Sequence, residues 1–325
     1  MNVVGWSTRE SRARTACSLA LAAAAAAGLA APPALADAGI RDFADTMLID
    51  DPDPNDVLIL PTLIWQRSGV QDGVGPTNEF DAGIEIDKRI TTRLGLQVST
   101  GGVWQSVFGS KSRTGMQNAS AGLQYMAWKS AKTESELSFG VQQEFGGTGS
   151  QQIGESATGS TTPLVYFGQG WGALPIGVLR PFAVTGEFGY AISNKGLKQL
   201  PAAPGNDPTY NNGIESRWVA GMTLQYPLNY LDGEVLSLNW PQWVDNFVPL
   251  VEVSYSSPAT RPANDPVQWT IAPGLIWSDQ FYQFGVEALI PGNRASGRNV
   301  GVLAQFRMSL GVLVPRLGKP VFSGD

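Results

Sequence analysis

The chain has 325 residues, 15% of them charged, with 22 Lys and Arg against 28 Asp and Glu, and no His. A net charge of −6 argues against nucleic acid as a partner. The absence of His removes His-bearing triads and His metal ligands together, and a lone Cys17 leaves no disulfide framework and no thiolate zinc site.

Residues 1–36 read as an export signal: Arg9, Arg12 and Arg14 precede an Ala-rich apolar run, and Ala34-Leu35-Ala36 offers a cleavage site. A membrane anchor is the rival reading. Residues 37–56 follow as an acidic leader with Asp42, Asp45, Asp50, Asp51, Asp53 and Asp56, interrupted by Pro52 and Pro54. A calcium loop is conceivable for clustered carboxylates, but the prolines and the missing Gly spoil that pattern. The expectation is a solvated periplasmic segment, with no bound metal or cofactor.

Residues 57–312 alternate apolar and polar positions in about twelve runs, beginning with 57–67, 79–88 and 90–101. Pairs at 119–131 and 134–146, then 161–172 and 181–193, continue the pattern, followed by 214–226, 247–256 and 267–277. The last two runs are the clearest. Tyr282, Phe284, Val286, Ala288 and Ile290 oppose Gln283, Gly285 and Glu287, with Leu289 as the apolar exception. Val300, Val302, Ala304, Phe306, Met308 and Leu310 oppose Gly301, Leu303, Gln305, Arg307, Ser309 and Gly311. A period of two places each set on its own face of a strand. Soluble strands usually run about five or six residues; runs of about ten suit strands that cross a bilayer at a tilt. The predicted fold is all-β, an antiparallel transmembrane β-barrel of about twelve strands. Residues 313–325 form a C-terminal tail.

Long and short connections alternate along the chain, as expected when one rim of a barrel carries loops and the other tight turns. Residues 227–246 break that rule, and a short helix or tucked flap is expected there. Trp65, Trp104, Trp128, Trp171, Trp218, Trp269 and Trp277 fall near strand ends, where amphipathic rings meet lipid headgroups. Gly101-Gly102 and Gly146-Gly147-Thr148-Gly149 have no following helix and read as loops at strand ends, not phosphate cradles.

The polar parity carries Glu85, Arg93, Gln97, Gln142, Glu144, Glu187, Glu215, Arg217, Gln225, Glu252, Gln283, Glu287, Gln305 and Arg307. In a barrel these face the lumen, where Glu and Arg should form ion pairs. They either fill the bore as scaffold or line an acidic pathway. Twelve strands enclose more space than the roughly eight-stranded case that side chains fill, so water or an inserted segment is expected inside. No catalytic residue is assigned: barrel lipases and omptin-type proteases need a His, and no local motif marks a glycosidase carboxylate pair.

Leu60-Pro61-Thr62, the run from Pro249 through Leu250-Val251-Glu252-Val253-Ser254 to Tyr255, and Leu317-Gly318-Lys319-Pro320-Val321-Phe322 together carry a family likeness. The chain resembles the outer-membrane family named for the meta-cleavage pathway of phenol degradation. The resemblance implies a bacterial outer-membrane barrel that passes small, often aromatic, compounds. It departs from general barrel habit by ending in Ser323-Gly324-Asp325 instead of an aromatic residue. The expected function is a non-enzymatic channel or facilitator for passive uptake, with outer-membrane lipid and a small solute as partners. The alternatives are a non-transport barrel, acting as scaffold or as adhesin through its loops, and a secreted soluble β protein.

Overall fold

The computed structural model describes residues 41, 43–68, 77–107, 109–196, 199–200, 209–210, 215–259 and 266–322. The segment read as an export signal at 1–36, Asp42, much of the connection at 194–213 and the last three residues lie outside them. Twelve long strands build one sheet: β1 (Val57–Arg67), β2 (Thr77–Arg89), β3 (Leu94–Val107), β4 (Ser120–Ser130), β5 (Ser135–Glu144) and β6 (Ser160–Gly170) come first. They are followed by β7 (Ala183–Ser193), β8 (Arg217–Gln225), β9 (Phe247–Pro258), β10 (Gln268–Ser278), β11 (Tyr282–Pro291) and β12 (Gly301–Ser309). Each strand pairs antiparallel with its neighbour in sequence, and β1 pairs with β12, so the sheet closes on itself. Closure satisfies every ladder without leaving an edge, which a lipid environment requires.

The alternation decides which face turns inward. On β11, Phe284 and Val286 are 52% and 56% exposed, whereas Gln283 and Glu287 are 5% and 1% exposed. The same inversion holds around the barrel: Trp65, Phe80, Trp104, Leu123, Phe139 and Val302 are exposed, while Glu85, Glu187, Glu252 and Arg307 are buried. A surface this apolar is not one that water solvates well. Its aromatics form two belts. Trp65, Trp104, Trp218 and Trp269 mark the ends of strands nearest the long loops, and Trp128, Trp171 and Trp277 mark the opposite ends. Trp65, Phe80 and Trp104 are cross-strand partners in one row. A closed antiparallel barrel with an apolar outer face and two aromatic belts is the architecture of the bacterial outer membrane, and this chain resides there. In SDS without heating it should migrate apart from the boiled chain; a single band at both temperatures would contradict a closed barrel.

All twelve expected strands are present, with two local differences. β3 runs on to Val107 through Gly101 and Gly102, which are therefore not a strand end. A Cβ at Gly101 would come within 2.5 Å of Gln117 Oε1 and 2.9 Å of the Ala82 carbonyl oxygen. Close packing, not a turn, sets that glycine. Beyond it, a short strand Arg113–Met116 pairs with the outer end of β3. The connection at 227–246 forms three short helical turns, Leu228–Tyr230, Leu231–Val235 and Gln242–Asp245, on the same rim as the tight turns at 90–93, 131–134 and 279–281. The tail lies on that rim too, where Val321 and Phe322 N–H groups donate to the Arg89 and Ile90 carbonyls.

The acidic leader differs most from expectation. It is not a solvated segment: Arg41, Thr46, Met47, Ile49, Asp51 and Asp56 are all buried, and the chain preceding β1 folds back into the bore.

Candidate functional site

The leader forms a re-entrant hairpin that plugs the lumen from the tight-turn rim. Its start is tied to that rim. Arg41 Nη1 donates to Glu134 Oε2 (3.2 Å) and to the Arg180 carbonyl (3.1 Å), with its guanidinium 4.3 Å above the Tyr230 ring. Its apex is a turn in which Thr46 N–H donates to Asp51 Oδ1 (2.9 Å) and Thr46 Oγ1 to the Ile49 carbonyl (2.8 Å). Its neck closes where Asn55 Nδ2 donates to Asp45 Oδ1 (2.9 Å). Its exit is held at the rim by Asp56, which binds Lys88 and Arg89. Burial pushes the Asp56 carboxyl up, but the hydrogen bonds from Lys88 and Arg89 together outweigh it and hold the carboxyl below its ordinary value. Pro52 and Pro54 suit such a path, because a segment outside any ladder gains from having no N–H to satisfy.

The barrel wall supplies the plug's partners. Glu252, on β9, accepts three backbone N–H groups from the apex: Met47 at 2.8 Å, Leu48 at 3.0 Å and Ile49 at 3.1 Å. Glu187, on β7, accepts the Asp50 N–H (3.3 Å). Gln225 holds Ala44 from both sides, accepting its N–H at 2.8 Å and donating to its carbonyl at 3.3 Å. Gln283 donates to the Asp45 carbonyl (2.8 Å), and Arg307 pairs with both Asp45 and Asp51. Lys129 pairs with Asp53. The leader's carboxylates therefore face wall cations, and wall carboxylates and amides face the leader's backbone.

Above the apex the bore opens into a cavity of about 150 Å³ that reaches the long-loop rim. Asp81, Glu85, Glu144, Glu187 and Glu215 line it, with Arg217 as its cation. Gln97 Nε2 donates to Glu85 Oε1 (2.9 Å), and Gln97 Oε1 accepts from Gln142 Nε2 (3.5 Å). Gln305 donates to Thr62 Oγ1 (3.1 Å), and Arg217 Nε donates to Ser256 Oγ (2.6 Å). The wall is not polar throughout. Ile64, Leu164, Val219 and Leu303 also face the cavity, and Met47 and Leu48 form part of its floor. Of the fourteen positions expected in the lumen, Glu85, Gln142, Glu144, Glu187, Glu215, Arg217 and Gln305 line this cavity, and Gln225, Glu252, Gln283 and Arg307 hold the plug. Gln97 bonds Glu85 and Gln142, and Glu287 is buried in the wall. The correction is Arg93: it is an exposed residue of the turn before β3, its N–H bonded to Thr91 Oγ1. It shares the parity of Gln97, but parity has no meaning once the chain has left the strand.

At the mouth, Asn118 bridges two carboxylates: its N–H donates to Glu155 Oε2 (3.1 Å) and its Nδ2 to Glu144 Oε1 (2.9 Å). Burial, with the nearby charges of Glu144 and Glu79, pushes the Glu155 carboxyl up to about 7, against the Asn118 bond. Its folded-state value lies above its unfolded one. Its stabilisation of the 145–159 loop is therefore complete below the unfolded value of 4.5 and lost as pH rises through about 7. Proteolysis of that loop should be faster at pH 8 than at pH 5 relative to a Glu155→Gln variant, in which the difference should vanish.

No family model matches the chain, and no curated protein does. Among solved structures, the chain is similar to the KdgM porin, at 12% identity over 77% of this chain and 98% of that one, with a TM-score of 0.44. It is also similar to an outer-membrane channel from Pseudomonas putida F1, at 10% identity over 78% and 92% with a TM-score of 0.47. The NanC porin matches at 9% identity over 77% and 98%, with a TM-score of 0.44.

Proposed function

We propose that this protein is a gated outer-membrane channel for passive uptake of small solutes, aromatic or hydrophobic molecules among them. The observation that carries it is an acid-lined vestibule ending on a plug whose described residues no strand pairing holds in place. A segment bound by side-chain contacts can leave the bore without breaking the barrel. The hydrophobic part of the reading draws on Ile64, Leu164, Val219 and Leu303 beside the vestibule, and on the resemblance to the phenol-degradation family. The long-loop rim faces outward and the plug enters from the periplasm. An epitope at Gly205, outside the described residues, should be reachable on intact cells; accessibility of the leader instead would reverse the orientation.

The occluded bore favours one rival, a barrel that serves as scaffold or adhesin. Planar-bilayer recordings with a panel of solutes separate the two. Brief openings with solute-dependent flux support the channel. A silent barrel, with or without the plug, supports the rival.

A further inference from the structure

The wall opposite the plug's apex is built for more than peptide backbone. Glu252 on β9 and Glu287 on β11 flank β10, whose Ala272 pairs with Glu252 and whose Gly274 pairs with Glu287. A Cβ at Gly274 would lie 2.5 Å from Glu287 Cγ, so the missing side chain is what lets Glu287 lean across β10. The two carboxylates sit within electrostatic reach of each other at 0% and 1% exposure. Glu252 bonds the apex N–H groups. Among the described residues, neither a cationic side chain nor a backbone N–H donates to Glu287. Buried carboxylates ordinarily have a cation or several donors, and this pair has only the apex.

Beside the carboxylates lies an apolar hollow formed by Ile64, Leu250, Ile276, Leu289 and Leu303, and Met47 fills it. Gly285 makes the room: a Cβ there would collide with the Met47 sulfur. The apex thus offers the wall a cluster of N–H donors joined to an apolar chain. A small alkyl- or arylammonium ion offers the same pattern and adds the full positive charge that backbone amides lack. The carboxylates of the vestibule above raise the local concentration of cations on the way in.

We propose that Glu252, Glu287 and the Met47 hollow form a binding site for small organic ammonium ions, which displace the plug's apex and so open the bore. This rests on the channel reading and names its solute class. Benzylammonium is the probe, with benzyl alcohol and benzoate as matched neutral and anionic controls. The measurement is amide hydrogen exchange at Met47, Leu48 and Ile49 in the reconstituted full-length barrel. Competition predicts about tenfold faster exchange when benzylammonium stands at ten times its dissociation constant for the open bore. Neither control should match it at equal concentration, and Glu287→Gln should lose most of the response. Should that variant fail to fold, Gly285→Val fills the hollow while keeping both carboxylates, and it should blunt the response equally. Equal effects of all three probes, no effect of benzylammonium, or a full response in the folded variant would each overturn the proposal. Potassium conductance in the same preparation reports separately on the channel: if it persists while benzylammonium does nothing, the ammonium site alone is lost.

Discussion

Glu252→Ala is expected to turn a mostly closed pore into a mostly open one. Three apex N–H groups lose their common acceptor, and hydrogen bonds to a charged group are worth about 1.5–3 kcal/mol each. These bonds are not additive, and water partly replaces them once the apex leaves. A net loss of about 3 kcal/mol still shifts the closed–open ratio by roughly a hundredfold. Glu252→Gln keeps an acceptor oxygen and should fall between. The check is open probability in single-channel recordings. A Glu252→Ala channel as closed as the wild type would show that the apex is held by something else.

The second large effect separates two adjacent residues. Val286 is 56% exposed toward lipid and Glu287 is 1% exposed toward the bore. An Arg facing lipid near mid-depth costs about 2–4 kcal/mol, so Val286→Arg should sharply lower the heat-modifiable, inserted fraction. Glu287→Leu should insert nearly as well as the wild type, because it removes a buried polar group and adds no group that lipid must solvate. Strand, depth and neighbours are almost matched, so the difference isolates the facing. Equal insertion of the two variants would contradict the assigned parity.

The barrel was legible in the sequence because its signal is local. Residues two apart share a face whatever lies elsewhere, and Tyr282 through Ile290 display the rule without any knowledge of their partners. The plug was not legible, because its signal is long-range. Asp51 reads as solvated until Arg307, 256 residues away, is known to stand beside it, and Asp53 until Lys129 is. The same parity named Glu187, Glu252 and Arg307 as lumenal, but not what they hold. Nor could it show the apolar side of the bore. Val248 and Leu250 face inward while Val251 faces lipid, so the stretch of β9 before Glu252 is apolar on both parities and its inner face carries no polar mark there. The alternation also continued past its useful range at Arg93, where the strand had already become a turn.

The central claim is that the leader closes the bore by lying in it. Pairing Met47→Cys with Gly285→Cys tests this most directly, since the Met47 side chain rests against Gly285 and the chain has a single native Cys, Cys17. Oxidation should link the two within one chain and hold conductance at its closed level. Reduction should then raise the open probability, because the apex has lost both its tether and the Met47 packing. Failure of the disulfide to form in the folded barrel, or a conductance that is the same before and after reduction, would contradict it.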